Sequence, residues 1–283
     1  QVCLPRNNSL AVRLSLSFLG INLADTLATK IQKTALITGA SSGIGLAYAL
    51  ELAKKNFRLS LLSLDKTRLL DKQHLFDKKH TQFLSKDLRN PNAVLEISEE
   101  VPAPDLIVAN AGVTLHGRAG SFDVDKKANL YYLLCGGVID LIESYLPEMR
   151  ERRSGRIVII SSIGALTPMP KSSIYSSAKA GIFAYGRSIH QELKKDNIDV
   201  TVSLPGYVRT AAHKRAGLDH LERQIPSWMW ITAQQAVRET EKASLAKKAS
   251  IIPGRVYRFA RPFLGLNIAT RLWGALNRRQ NIN

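Results

Sequence analysis

Three groups of residues in this sequence stand at spacings that suit proton and anion chemistry. Tyr175 and Lys179 lie one helical turn apart in Tyr175-Ser176-Ser177-Ala178-Lys179, at the start of a helix expected to run to about Lys195. Positions i and i+4 share a helix face, so the ammonium stands near the phenol and favours phenolate. An ordinary tyrosine ionises near about 10 and needs such a neighbour to exchange protons near neutrality. Ser162 precedes Tyr175 by thirteen positions, at the end of an apolar run, where it can donate a hydrogen bond to an oxygen that is gaining charge. The third group is Thr38-Gly39-Ala40-Ser41-Ser42-Gly43-Ile44-Gly45. Glycines there let the backbone turn tightly and approach a pyrophosphate, and the helix that follows offers N–H groups and a positive dipole end. Each group alone has a plainer reading: Tyr-x3-Lys pairs arise by chance, and a glycine turn joins many a strand to a helix.

The elements that must hold these groups are legible between Lys33 and about residue 255. Apolar runs Thr34–Ile37, Leu59–Leu62, Leu106–Ala109, Ile157–Ile160, Val200–Leu204 and Ser250–Ile252 alternate with helix-length segments, and Thr81–Leu84 is a weaker seventh. Continuous rather than alternating apolar strands suit a sheet covered on both faces. Strand–helix alternation predicts an α/β fold: a single doubly wound Rossmann-like domain whose seven-stranded, mainly parallel sheet has helices on both faces. Ligands of such folds sit at the carboxyl ends of the strands. Asp87, Asn110-Ala111-Gly112, Ser161-Ser162 and Pro205-Gly206 all fall at those ends.

Composition agrees with one sizeable globular domain and places the rest. The chain has 283 residues, 45% apolar and 22% charged. Cys3 and Cys135 are too few for a disulfide framework or a zinc cluster, so a reducing, cytoplasmic setting and no metal are expected. The net charge of +17 is concentrated at the ends. After Glu241 there is no acid, only Lys242, Lys247, Lys248, Arg255, Arg258, Arg261, Arg271, Arg278 and Arg279. Residues 1–33 read as an N-terminal extension, amphipathic, poorly ordered or targeting; its uncharged run Leu14–Ala24 is eleven residues, short of the about 20 that span a bilayer. Residues 256–283 read as a basic amphipathic tail, with Leu264, Ile268, Leu272 and Leu276 four apart. Such a tail serves either as contact with an anionic membrane surface or as a helix docked on its own domain. Nothing in the sequence has the form of a nucleic-acid-binding motif.

Taken together, the motifs resemble the classical short-chain dehydrogenase/reductase family. The resemblance covers roughly 34–255 and rests on Thr38-Gly39-x3-Gly43-x-Gly45, Asn110-Ala111-Gly112, Asn129, Ser162, Tyr175-x3-Lys179 and Pro205-Gly206-x-Val208-x-Thr210. It implies catalytic roles for four residues: Tyr175 as acid/base, Lys179 lowering its pKa and holding the nicotinamide ribose, Ser162 polarising the substrate oxygen, and Asn129 supporting a water-linked proton relay. It implies cofactor contacts from Gly39, Ser41, Ser42, Gly43, Ile44, Gly45, Ser63, Asp87, Leu88, Asn110, Ala111, Gly112, Tyr175, Lys179, Pro205, Gly206, Val208 and Thr210. Three departures stand out: Ala109 replaces the first asparagine of the Asn-Ala-Gly motif, the stretch from Asn110 to Asn129 is short, and the glycine-rich ending of the small tetrameric members is missing. The family's ribose-binding acid aligns with Ser63, while Lys66 and Arg68 follow close behind, so NADP(H) is expected over NAD(H).

The activity this implies is hydride transfer between NAD(P) and a carbonyl or secondary alcohol, as a homodimer or homotetramer formed through helices near 125–152 and 175–195. The family's substrate loop falls at about 211–231, where Trp228, Met229 and Trp230 suggest either a lipophilic substrate or packing against the core. A second expectation is 3-oxoacyl reduction on an acidic acyl carrier, met by a basic rim of Arg150, Arg152, Arg153, Lys214 and Arg215. A third is a non-catalytic NADP-binding regulator, disfavoured because the catalytic positions are filled.

Overall fold

A computed structural model describes residues 32–210 and 225–263. The leading extension up to residue 31, the stretch 211–224 with Lys214 and Arg215, and the tail from residue 264 lie outside the described residues. Each of the seven apolar runs forms a strand: β1 Thr34–Thr38, β2 Arg58–Ser63, β3 Thr81–Ser85, β4 Leu106–Ala109, β5 Gly155–Ile160, β6 Ile198–Ser203 and, late in the chain, Ser250–Ile251. Between the last two, Val208–Arg209 (β7) and Ile231–Thr232 (β8) pair separately, which makes Ser250–Ile251 β9. The main sheet has the order β3-β2-β1-β4-β5-β6-β9 and every pairing in it is parallel. The chain builds outward from β1 to β3, then restarts at β4 on the other side of β1. A crevice therefore opens at the carboxyl ends of β1 and β4.

Both faces of the sheet are covered, which explains the continuous apolar strands. Leu36, Ile107, Ile157, Ile159 and Val200 enter one core with α3 (Pro91–Glu100), α5 (Gly137–Glu151) and α6 (Ser173–Glu192). Their neighbours Ala35, Ile37, Val108 and Val158 enter the other, with α1 (Gly43–Lys54) and α7 (Ala233–Leu245). Two shorter helices, α2 (Lys66–Leu70) and α4 (Val124–Tyr131), complete the carboxyl edge, and α4 runs through a π turn at Tyr132–Gly136 into α5. A final helix, α8 (Arg255–Ala260), packs Tyr257 into a small core with Ile163, Leu204 and Ile252. Packed structure thus extends past residue 255, where the sequence suggested that the tail begins.

On the α1/α7 face, the sheet is tied to its helices by one buried acid. Glu241 accepts hydrogen bonds from Arg156 at 2.9 Å and from the Tyr48 hydroxyl at 3.3 Å, and Lys55 lies 3.5 Å away. Burial and the Glu241 charge together hold the Tyr48 phenol well above its ordinary pKa. Removing one partner of a buried charge pair strands the other. Glu241→Ala is expected to cost about 3–5 kcal/mol in urea unfolding, and Arg156→Met with Glu241→Leu to restore most of it. A single substitution costing no more than an exposed acid would contradict this role.

Candidate active site

The crevice between β1 and β4 is closed by side chains that take over where the strand ladder stops. Thr38 Oγ1 accepts from the backbone N–H groups of Asn110 and Ala111, both at 2.9 Å. Asn110 Nδ2 returns a bond to Thr38 O at 2.9 Å. The chain then turns at Gly39, with φ +67°, where a Cβ would stand 2.8 Å from Asn110 Nδ2. At Gly45 a Cβ would come within 2.3 Å of Gly39 O, so the first turn of α1 presses against the loop that precedes it. Ser63, at the end of β2, donates to Ser41 Oγ at 2.8 Å. The α2, α3, α4 and α7 helices are capped by Asp65, Asn90, Asp123 and Thr232, but Ser42 makes no side-chain cap on α1. The first turn of α1 therefore presents N–H groups and a positive dipole end to the crevice.

The second half of the site is built where β5 meets α6. Ser161 Oγ donates to Lys179 O at 2.8 Å, and Lys179 Nζ donates to Ile160 O at 2.8 Å. Ser176 Oγ donates to Gly164 O, locking the first turn of α6 onto the turn after β5. Ser162 Oγ accepts from Gly164 N at 3.1 Å and lines the same cavity as Tyr175. The two pKa shifts share a cause. Burial raises Tyr175, with the neighbouring Ser162 hydroxyl opposing it. Burial lowers Lys179 to about 8. The expected depression of Tyr175 by Lys179 is therefore not what this site shows: the phenol lies above its ordinary value, and the ammonium is directed to the end of β5.

One cavity of about 470 Å³ joins the two halves. It is lined by Gly39, Ser41, Ser42, Gly43, Ile44, Ser63, Leu88, Asn110, Ala111, Gly112, Ser162, Tyr175, Lys179, Pro205, Gly206, Val208 and Thr210. The uncapped helix and the glycine cradle fit the pyrophosphate of a dinucleotide, and the same cavity extends to Lys179. Three expected residues are not on the wall. Gly45 lies behind the loop and acts by letting α1 approach. Asp87 turns to Arg89, whose Nε and Nη2 hold its carboxylate at 2.7–3.0 Å and keep its pKa below the usual range. Asn129 is exposed, and Leu133 lines the cavity instead, from the π turn that follows α4. A π turn inserts a residue into the helical repeat, so the inward face moves on along the chain.

Lys86 and Leu133 line the cavity and escaped the sequence reading. Lys86 immediately precedes Asp87; of the two cations expected near the ribose, Arg68 borders the cavity with Asp65, whereas Lys66 borders a smaller neighbouring cavity of about 250 Å³. Leu133 gives no chemical signal in the sequence; its place depends on the π turn. Of the three aromatic and apolar residues near 230, Trp230 is core, its ring tilted by 45° to that of Tyr207 with centroids 5.3 Å apart, while Trp228 is exposed. Of the expected basic rim, Lys214 and Arg215 lie outside the described residues, and the three described arginines do not stand at the site. Arg150 pairs with Asp196 at 3.3 Å, Arg152 donates to Ala103 O, Pro104 O and Ser154 O, and Arg153 donates to Lys195 O. All three directly precede β5, at the amino edge of the sheet, opposite the cavity.

Comparison with known proteins agrees with this geometry. The sequence model of the family described as short chain dehydrogenase matches residues 33–220. The chain is 28% identical over 207 residues to the ketoacyl reductase HetN of Nostoc sp., covering 68% of this chain and 72% of that protein. It is 35% identical over 190 residues to the dehydrogenase/reductase SDR family protein 7-like of Anopheles gambiae, covering 63% of this chain and 60% of that protein. Among solved structures, a short-chain dehydrogenase from Sphingobium yanoikuyae in complex with NADPH superposes with a TM-score of 0.72 at 25% identity, over 89% of this chain and 96% of that one.

The depressed Lys179 has a measurable consequence. Its folded pKa of about 8 lies below its unfolded value, so between about 8 and 10.5 the unfolded chain binds more protons and stability rises with pH. Below pH 8 the buried ammonium destabilises the fold by an amount on the order of 3 kcal/mol, offset in part by its bond to Ile160. Lys179→Met is expected to raise the urea midpoint relative to the unaltered chain at pH 7, by a margin that shrinks toward pH 10. A margin independent of pH would show that the lysine is not buried as a cation.

Proposed function

The chain belongs to the short chain dehydrogenase family of NAD(P)-dependent oxidoreductases, and on that premise we propose that it interconverts a carbonyl and a secondary alcohol with NADP(H), using Tyr175 as the acid/base. The observation that carries this reading is a single cavity whose wall gathers Ser162, Tyr175 and Lys179 with the glycine loop. When bound, the nicotinamide supplies or accepts the hydride. The chain's own residues handle the proton. In the reducing direction, Ser162 Oγ orients the substrate carbonyl and the Tyr175 hydroxyl gives its proton to the carbonyl oxygen as alcohol forms. Lys179 stabilises the resulting phenolate; in the oxidising direction that phenolate takes the proton back.

Preference for NADP(H) is supported at the adenosine end. Ser63 stands where an acid would repel a 2′-phosphate, and Arg68 and Lys86 border the cavity nearby. A lipophilic substrate is supported by Leu133 and Val113 on the cavity wall. Reduction of a 3-oxoacyl group on a carrier is the second reading, favoured by the likeness to a ketoacyl reductase. The homodimer or homotetramer expected from the resemblance would use α5 and α6.

Tyr175→Phe is expected to lower turnover by about 10²–10⁴-fold on a panel of ketones and alcohols, while binding NADPH as the unaltered chain does. Unchanged turnover would remove Tyr175 from the mechanism. Arg68→Met and Lys86→Met are each expected to raise KM for NADPH about tenfold, a change of about 1.4 kcal/mol, and to leave KM for NADH nearly unchanged. Equal effects on both cofactors would place neither cation at the 2′-phosphate. Faster reaction with carrier-linked 3-oxoacyl groups than with free ketones would select the second reading.

A further inference from the structure

We propose that Trp228, Phe259 and Phe263, with Arg255 and Arg261, form a docking surface for an anionic membrane beside the carboxyl edge of the sheet. Among the described residues these three are the exposed tryptophan and phenylalanines, at 65%, 79% and 60% exposure. A single exposed aromatic is ordinary, but three on two joined segments are not scattered. Trp228 sits in the 3-10 turn Ser227–Met229, Phe259 in α8, and Phe263 in the 3-10 turn Arg261–Phe263 that continues it.

Tyr257 fixes these segments to each other. Its side chain is buried, its hydroxyl donates to Met229 O at 2.5 Å, and the same oxygen accepts from Tyr207 N at 3.0 Å. The outward aromatics are therefore displayed from an anchored base, one that packs on Ile163 and Leu204 next to Ser162 and Pro205.

The charge beside them selects the partner. Arg258 is engaged by Glu239, while Arg255 and Arg261 are exposed. From Gly254 to Phe263 the sequence has three cations, Arg255, Arg258 and Arg261, and no acid. A bilayer carrying anionic headgroups presents one sign over a wide area, attracts arginines within a Debye length, and takes aromatic rings at the headgroup level. This surface is independent of the reaction assigned above.

The test is sedimentation of the full chain with vesicles of phosphatidylcholine alone and of phosphatidylcholine with about a third phosphatidylserine. Binding is expected to the anionic vesicles, to weaken with salt, and to fall by about tenfold or more in Phe259→Ser with Phe263→Ser and in Arg255→Gln with Arg261→Gln. Retention of NADPH binding by those variants shows that they are folded. Equal binding to neutral and anionic vesicles overturns the proposal, as does binding that survives both double substitutions. Loss of binding on Arg271→Gln with Arg278→Gln and Arg279→Gln alone, with the phenylalanine variant still bound, assigns the contact to the tail and overturns it too. A serine variant that changes only the oligomeric state by light scattering makes the surface a contact between copies of the chain, which likewise overturns the proposal.

Discussion

Parallel strands that all end on one edge must give up their backbone hydrogen bonds there together, and in this chain side chains replace them. At β1 and β4 the replacement comes from Thr38 and Asn110, which lace the two strand ends through bonds of 2.9 Å. At β5 it comes from Ser161 and Lys179, which tie the strand to α6 at 2.8 Å. Buried polar backbone is costly when unpaired, so these contacts are needed for the fold to close. They are also the residues that surround the cavity. The site is the place where the sheet's own termination is solved, and the first turn of α1, without a side-chain cap, opens into it.

The same burial sets the electrostatics. Removing Tyr175 and Lys179 from water pushes the phenol up and the ammonium down, and both shifts favour the neutral pair. A lysine that titrates at about 8 is still mostly ammonium near neutrality. In the proposed reaction it is the cation that meets the phenolate, at a cost in stability to the resting site. A fully solvated lysine would be easier to keep charged but would stabilise a phenolate far less, because water would screen it.

The strands were legible because both faces of a doubly wound sheet are buried, so each strand is an unbroken apolar run. The glycine loop and Tyr175-x3-Lys179 were legible because close backbone approach and proton transfer admit few residue types. Leu133 was not, because the π turn shifts the inward face by a residue and apolar side chains carry no signature; the sequence pointed instead to the polar Asn129, which the structure leaves exposed. The arginines before β5 misled for a topological reason. A basic cluster reads the same at either end of a strand, and only the direction of β5 shows that Arg150, Arg152 and Arg153 face away from the cavity. The network around Glu241 was invisible in sequence because its partners Tyr48, Lys55 and Arg156 come from α1, from just beyond its end, and from β5.

At the adenosine end, cations near the cavity are not the same as cations available to a phosphate. Arg68 is held by Asp65 at 2.8 Å, and Asp65 also caps α2 through Arg68 N. Lys86 is held by Glu96 at 2.8 Å and by Glu100 at 2.5 Å. A 2′-phosphate entering there must draw each cation away from carboxylates already placed. The gain from such an exchange is a difference between two attractions rather than the whole of one. Preference for the phosphorylated cofactor in the proposed reaction thus depends on the acids behind the cations as much as on the cations. An aspartate that caps a helix cannot swing away, so Arg68 alone must move, whereas Lys86 has a long flexible stem and lies between the two neighbouring cavities. Of the two, the lysine is the cation better placed to follow the phosphate.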